Sequence, residues 1–173
     1  MDKTLQNLLT LARDGGIERR SAALLVVGAL KLDDEPVLDV VRLALENGNI
    51  ILKDYALRYC EEVRPKACVS WLLPLLQDSE KDIADRAVRL LSGLGQVVVR
   101  PLIQQAKTAH RAWYLRAAQV LSAVRGKAAW QGLLQLLLAG DTEVNKTICD
   151  LVATTVRCSS KCRRSSARRA TAW

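Results

Sequence analysis

Residues 83–91 read Ile-Ala-Asp-Arg-Ala-Val-Arg-Leu-Leu, and a block with this pattern recurs along the 173-residue chain. Each block has an apolar residue, a small residue four positions later and then an apolar pair. The fifth copy is weaker, because a larger residue occupies its small-residue position. The small-residue positions are Ser21, Ala56, Ala87, Ala117 and Ile148, which lie 35, 31, 30 and 31 residues apart. A period of this length is typical of solenoids, in which each repeat buries its apolar face against its neighbours.

The blocks also have the spacing of helices. In the third block, apolar or small residues at i, i+4, i+7 and i+8 form one stripe with the 3.6-residue period. Another amphipathic segment precedes each block, and turn residues separate the two. These segments are Leu5–Arg13, Val37–Leu45, Ala67–Leu76, Val98–Ala106 and Ala128–Leu138. No strand pattern competes, so we expect an all-α fold of ten helices in five antiparallel pairs.

One stretch carries a family resemblance. Residues 75–83, Leu-Leu-Gln-Asp-Ser-Glu-Lys-Asp-Ile, followed by Ala87 and the pair Leu90-Leu91, resemble a HEAT repeat in its short form of about 30 residues. This short form is similar to the repeats of phycobilisome lyase-like HEAT proteins, and the resemblance covers residues 5–156. It implies a right-handed α-solenoid whose second helices line a concave surface, and most such proteins are binding scaffolds. We therefore expect a HEAT-like solenoid of about five hairpins over residues 1–156.

Composition indicates a cytoplasmic protein. The longest apolar run, residues 22–30, is far shorter than the ~20 residues that span a bilayer, and the N-terminus lacks a signal-peptide layout. The five cysteines are an odd number and match no disulfide framework. Cys60, Cys68 and Cys149 fall in helical patterns and are expected to be buried. A metal site at Cys158 and Cys162 would need two further ligands, so we expect no metal and no cofactor.

Charge is distributed unevenly. The net charge is +8, but residues 1–85 carry −4, and residues 86–140 hold eight Lys and Arg with no acid. Residues 157–173 form a Ser- and Arg-rich tail with a charge of +6, which is expected to be disordered in isolation. The tail is either a solvated or non-native extension or a basic arm for a polyanion.

The arginines of the blocks fall at matching positions. Arg20, Arg86 and Arg116 occupy the same position in the first, third and fourth blocks, and the second block has a tyrosine there. Arg58 and Arg89 share another position, in the second and third blocks. Stacked helices lie ~8–10 Å apart, so Arg86 and Arg116 would be neighbours on the concave face that the resemblance implies. The predicted partner-binding residues are Arg58, Arg86, Arg89, Arg116 and Tyr55.

Another interpretation of these arginines stays open. Their aliphatic stems can cover the apolar stripe while their heads lie in solvent or pair with Asp54 and Asp85. The aromatic residues favour a structural role more clearly, because Trp113 takes the core position of its block.

Catalysis has little support in the sequence. The basic half offers no carboxylate, the single histidine, His110, lies in a predicted turn, and no glycine-rich phosphate loop is present. We therefore predict a non-enzymatic scaffold, a monomer or weak homo-oligomer without a membrane role. Its basic groove would hold an acidic or extended protein partner. The alternative is binding of a DNA or RNA backbone by the same groove and the tail.

Overall fold

A computed structural model describes residues 3–65, 67–106, 111–124, 126–139, 142–143, 145–150 and 152–153. All regular structure in these ranges is helical, which confirms the predicted all-α class. The helices are α1 (Lys3–Asp14), α2 (Ile17–Ala29), α3 (Glu35–Asn47), α4 (Ile50–Val63), α5 (Cys68–Leu75), α6 (Lys81–Gly93), α7 (Val99–Gln105), α8 (Arg111–Val124) and α9 (Lys127–Ala139). A short 3₁₀ helix, Gly95–Val98, precedes α7, and further helical residues occur at 142–143, 145–150 and 152–153.

The chain divides into two compact units, with the boundary between Leu90 and Leu91. In unit 1, α1 packs on α2 and α3 on α4, as the hairpin pattern predicts. Helix α2 also packs on α4, and α3 packs on both α1 and α5, so like helices of successive hairpins meet. In unit 2, α9 packs on α8 and α7. The tail 157–173 and His110 lie outside the described residues.

Helix α4 is fixed at both ends by local signals. Asn49 precedes it, and the Asn49 Oδ1 accepts a hydrogen bond from the backbone N–H of Leu52 at 2.9 Å, as expected of an N-cap. At the other end, Arg64 takes a left-handed conformation with φ of 53°, and its N–H donates to the carbonyl of Cys60. These caps fix where α4 begins and ends.

The segment between α5 and α6 is anchored to α4. Pro74 lies inside α5, where it leaves the carbonyl of the preceding turn without its helical donor, and the helix ends at Leu75. The N–H groups of residues 76–78 then donate to carbonyls three residues earlier. This tight turn brings Asp78 to Lys53 of α4, whose Nζ donates to Asp78 Oδ2 at 2.6 Å. The start of α6 is thereby held beside α4.

The core follows the repeated blocks. Ala56, Ala87 and Ala117 are completely buried, and Trp113 lies in the core as predicted. Helix α2 approaches α4 at Gly28, where a Cβ would make an ordinary contact, 3.7 Å from the Cα of Tyr59. The Tyr59 hydroxyl donates to the carbonyl of Leu32 at 2.6 Å, and burial raises the pKa of this phenol to about 12.

Among the helices of the described ranges, none combines the length and apolarity that a bilayer crossing requires.

Candidate partner-binding groove

Helices α4 and α6 flank an open groove of about 680 Å³ in unit 1. Its lining combines apolar and charged side chains: Ile50, Ile51, Asp54, Tyr55, Asp82, Ile83, Asp85, Arg86 and Arg89. Ile50 and Ile51 are about half exposed, although both follow the N-cap of a well-packed helix. The groove lining therefore combines an accessible apolar pair with charged side chains.

Arg86 is held by two carboxylates of α4. Its Nε and Nη2 donate to the two carboxylate oxygens of Glu61 at 2.8 and 2.9 Å, and its Nη1 donates to Asp54. The guanidinium hydrogen bond lowers the pKa of Glu61, and the same bond raises the pKa of Arg86. Only 19% of the Arg86 side chain is exposed. Of the two interpretations left open above, pairing with an acid is the one found for Arg86, with Glu61 in place of Asp85.

The other predicted residues of unit 1 occupy different surroundings. Arg89 and the half-buried Tyr55 line the groove with Arg86. Arg89 is exposed, and its charge contributes to the lowered pKa of Glu61. Arg58 is also exposed but lies outside the groove lining, where its Nε is 3.4 Å from a carboxylate oxygen of Glu62. The groove thus gathers three of the five predicted residues.

Arg116 belongs to α8 in unit 2, where it is half-buried. Neighbouring residues fix α8, since the Tyr114 hydroxyl donates to the carbonyl of Ala106 at 2.5 Å and the Trp113 and Tyr114 rings meet edge to face. Arg20, the first-block residue at the same position, donates from Nε to the carbonyl of Ala12 at 3.1 Å. The row joining Arg86 to Arg116 stays a prediction.

Sequence reasoning placed Asp54 and Asp85 near the arginines but missed Asp82 and the apolar pair Ile50-Ile51 of the lining. Asp54, Asp82 and Asp85 outnumber the two lining arginines. A signal for them existed, because the acid-free window begins only at residue 86, inside α6. The apolar pair Ile50-Ile51 gave no comparable signal, because each block also places adjacent apolar residues on its buried stripe.

The described residues include no group of three or more His, Cys, Asp or Glu side chains placed to hold a metal ion. Cys60 and Cys68 are buried as predicted, and burial raises the pKa of Cys68 to about 11 and raises that of Cys60 further. Such thiols are poor nucleophiles at neutral pH. Cys149, in contrast, is exposed, and the prediction that it is buried was wrong.

The chain matches no protein-family model and no curated protein sequence. The HEAT-like resemblance therefore stays a prediction.

Proposed function

We propose that the chain is a non-enzymatic binding scaffold whose α4–α6 groove holds a short extended segment of a protein partner. The observation that carries this proposal is the half-exposed pair Ile50 and Ile51 in the lining of a groove that also holds charged side chains. A volume of about 680 Å³ suits a few side chains rather than a whole helix. Exposed apolar surface rimmed by polar residues is a frequent mark of an interaction site.

Tyr55 supports an apolar anchor at this position. It lines the same groove as Ile50 and Ile51 and is half-buried, so its ring is held by the fold while part of it stays accessible. Tyrosine offers a large contact area at a low entropic cost and is enriched among the residues that dominate binding energy. An aromatic or aliphatic side chain of the partner would bury against these three residues.

The charged side chains of the lining favour a partner with a basic side chain beside that anchor. The arginine rows of the sequence, in contrast, predict an acidic segment. Asp82 and Asp85 lie on α6, and neither has a cation close enough to form one of the described ion pairs. The charge of Arg86 is already matched by Asp54 and Glu61. A nucleic-acid backbone is less favoured on this surface, because its phosphates would meet three lining carboxylates.

The wider architecture is also part of the proposal. We propose that the five hairpins stack as a right-handed HEAT-like solenoid, which the like-on-like helix contacts of unit 1 support. A cytoplasmic, reducing compartment agrees with the free buried thiols of Cys60 and Cys68.

Peptide selection tests the groove directly. Random peptides displayed on phage are selected on the immobilised full chain, and their affinity is then measured by fluorescence polarisation. Selected peptides should pair an aromatic or aliphatic residue with Lys or Arg. The double substitution Asp82→Lys and Asp85→Lys should weaken their binding at least about tenfold, or ~1.4 kcal/mol. Glu46→Lys, an exposed reversal on α3 outside the lining, is the matched control.

Two outcomes would overturn parts of the proposal. Peptides that bind the wild type and the double variant equally would remove the groove as the site. Acid-rich peptides that keep their affinity for the double variant but lose it with Arg89→Glu would restore the predicted acidic partner. Reversal of Arg86 is a poor test, because a third acid beside Asp54 and Glu61 would disturb the fold itself.

A further inference from the structure

The first hairpin exposes positions that the later blocks bury. Ile17 is 47% exposed, whereas its block equivalents Leu52, Ile83 and Trp113 are at most 2% exposed. Leu25 is 38% exposed, although its second-block equivalent Cys60 is 1% exposed. The equivalents of Leu25 in the next two blocks, Leu91 and Leu121, are buried as well. The sequence thus supplies core residues on a side of α2 that nothing in unit 1 covers.

The first hairpin exposes further apolar side chains, and we call the whole set the first-hairpin face: Leu11, Ile17, Leu25, Val26 and Leu30. An almost wholly apolar groove of about 490 Å³ lies between α1 and the last turns of α2, and Leu11, Val26 and Leu30 of this set line it. Exposed polar residues such as Gln6 and Thr10 cover the opposite side of α1. On α2 the residues of this face lie on both sides of the buried arc, since Leu25 and Leu30 are five residues, or about 140°, apart around the helix.

The last hairpin shows the corresponding feature on its first helix. Trp130 and Leu134 lie 18 and 14 residues before the small-residue position of their block, as do Val69 and Leu73 in the third block. Val69 and Leu73 are 7% and 4% exposed, but Trp130 and Leu134 are 42% and 60% exposed. With the highly exposed Leu138, they form the last-hairpin face.

A groove of about 240 Å³ lies in this last-hairpin face. It is apolar and is lined by Trp130, Leu133, Leu134, Leu137, Cys149, Val152 and Ala153. The exposed thiol of Cys149 thus borders an unfilled apolar surface, which accounts for its difference from the buried cysteines.

We infer that the two faces bind each other between copies of this chain, so that the last-hairpin face of one copy covers the first-hairpin face of the next. Within unit 1, α2 packs on α4 and so covers the second block. The first block, on α2, has no preceding hairpin to cover it in the same way. A second copy supplies a helical hairpin with an open apolar face, as such a contact requires. The contact would continue the hairpin-on-hairpin packing from one chain to another.

Charge favours this head-to-tail contact over a symmetric one. Residues 3–30 contain four basic and two acidic residues, and residues 127–153 contain two basic and three acidic ones. Two first hairpins facing each other would bring like net charges together, whereas a first and a last hairpin carry opposite net charges. An interface between unlike surfaces leaves one copy of each face free, so growth continues unless a ring closes.

Sedimentation velocity with the full chain tests this inference, at concentrations up to about 1 mM, where even weak interfaces associate. The wild type should form species whose mass rises with concentration. Leu25→Glu with Leu30→Glu disables the first-hairpin face, and Leu134→Glu with Leu138→Glu disables the last-hairpin face. All four side chains are exposed, so both variants should fold, which circular dichroism checks.

The mixing experiment is decisive. Each double variant alone should be monomeric, and an equimolar mixture should form dimers and stop there, because each variant keeps one working face. Leu43→Glu, an exposed leucine of α3 outside both faces, should associate like the wild type. A wild type that stays monomeric throughout, or a last-hairpin variant that dimerises alone, would overturn the inference. Loss of association in Leu43→Glu would do the same.

Discussion

Helices α2 and α4 carry the same repeated block but present different surfaces. In α4, the block positions of Leu52, Leu57 and Cys60 are buried, and the residues left outside include Asp54 and Glu61. In α2, the positions equivalent to Asp54 and Glu61 are Arg19 and Val26. Beyond its first turn, where Ile50 and Ile51 are exposed, α4 thus exposes only charged side chains, while α2 leaves apolar residues on both sides of its buried arc.

This difference between α2 and α4 shows what a repeat pattern in the sequence specifies. It specifies where a helix needs an apolar residue for packing on a neighbouring hairpin, but it does not specify whether that neighbour is present. For α4 the neighbours lie within unit 1, and the exposed edge of α4 contributes charged side chains to the groove lining. For α2 one neighbour is missing, and the apolar surface remains open.

The largest effect should come from truncation at matched positions. Leu52→Ala should lower the free energy of unfolding by ~2–5 kcal/mol, because it opens a cavity in a packed core. Ile17→Ala should lower it by less than ~1 kcal/mol, since that side chain is half exposed already. Urea denaturation of both variants at low protein concentration measures the difference. Equal losses would mean that the comparison between α2 and α4 is wrong.

A smaller effect is expected at the charged edge of α4. Arg86→Ala should lower the free energy of unfolding by ~1–2 kcal/mol, a value reduced by the partial exposure of its carboxylate partners. Because its folded-state pKa is lowered, Glu61 stabilises the fold above its unfolded pKa of about 4.3, and this contribution is lost as pH falls through the folded value. The difference between wild type and variant should therefore shrink below about pH 4.

Arg89→Ala is the matched control for Arg86→Ala, since Arg89 lies one turn further along α6 but is exposed. It should change stability by no more than ~0.5 kcal/mol. A similar loss for both arginines, or a difference that is independent of pH, would contradict a specific role for the Arg86 ion pairs.

The smallest effect concerns the contact between the two helices. Gly28→Ala replaces a flexible residue in the last turn of α2, which favours the helix by up to ~1 kcal/mol. The new Cβ would meet the Glu62 Oε2 at 3.3 Å, but this is the end of a partly exposed side chain that can move. We expect a gain of ~0–1 kcal/mol in thermal or chemical denaturation. A clear loss would show that α2 and α4 are packed too tightly to yield.

Local rules predicted the helices well. Each predicted segment coincides with a helix to within a few residues, and the core position of Trp113 is confirmed, because both follow from short-range periodicity. The ion pair of Arg86 with Glu61 was out of reach, since it joins residues 25 apart and depends on how α6 is rotated against α4. The open sides of Leu25 and Cys149 were missed because exposure depends on neighbours that the pattern does not count.

The Arg86 contacts have a consequence for how α6 lies along α4. Asp54 and Glu61 are seven residues apart, which corresponds to about 10.5 Å, or two turns, along the helix axis. One guanidinium group reaches both, and it can do so only at one longitudinal alignment of the two helices. A slip of α6 by a single turn would separate the guanidinium group from one of the carboxylates. Arg86 therefore fixes the register of α6 against α4, much as single polar residues fix the register of coiled coils.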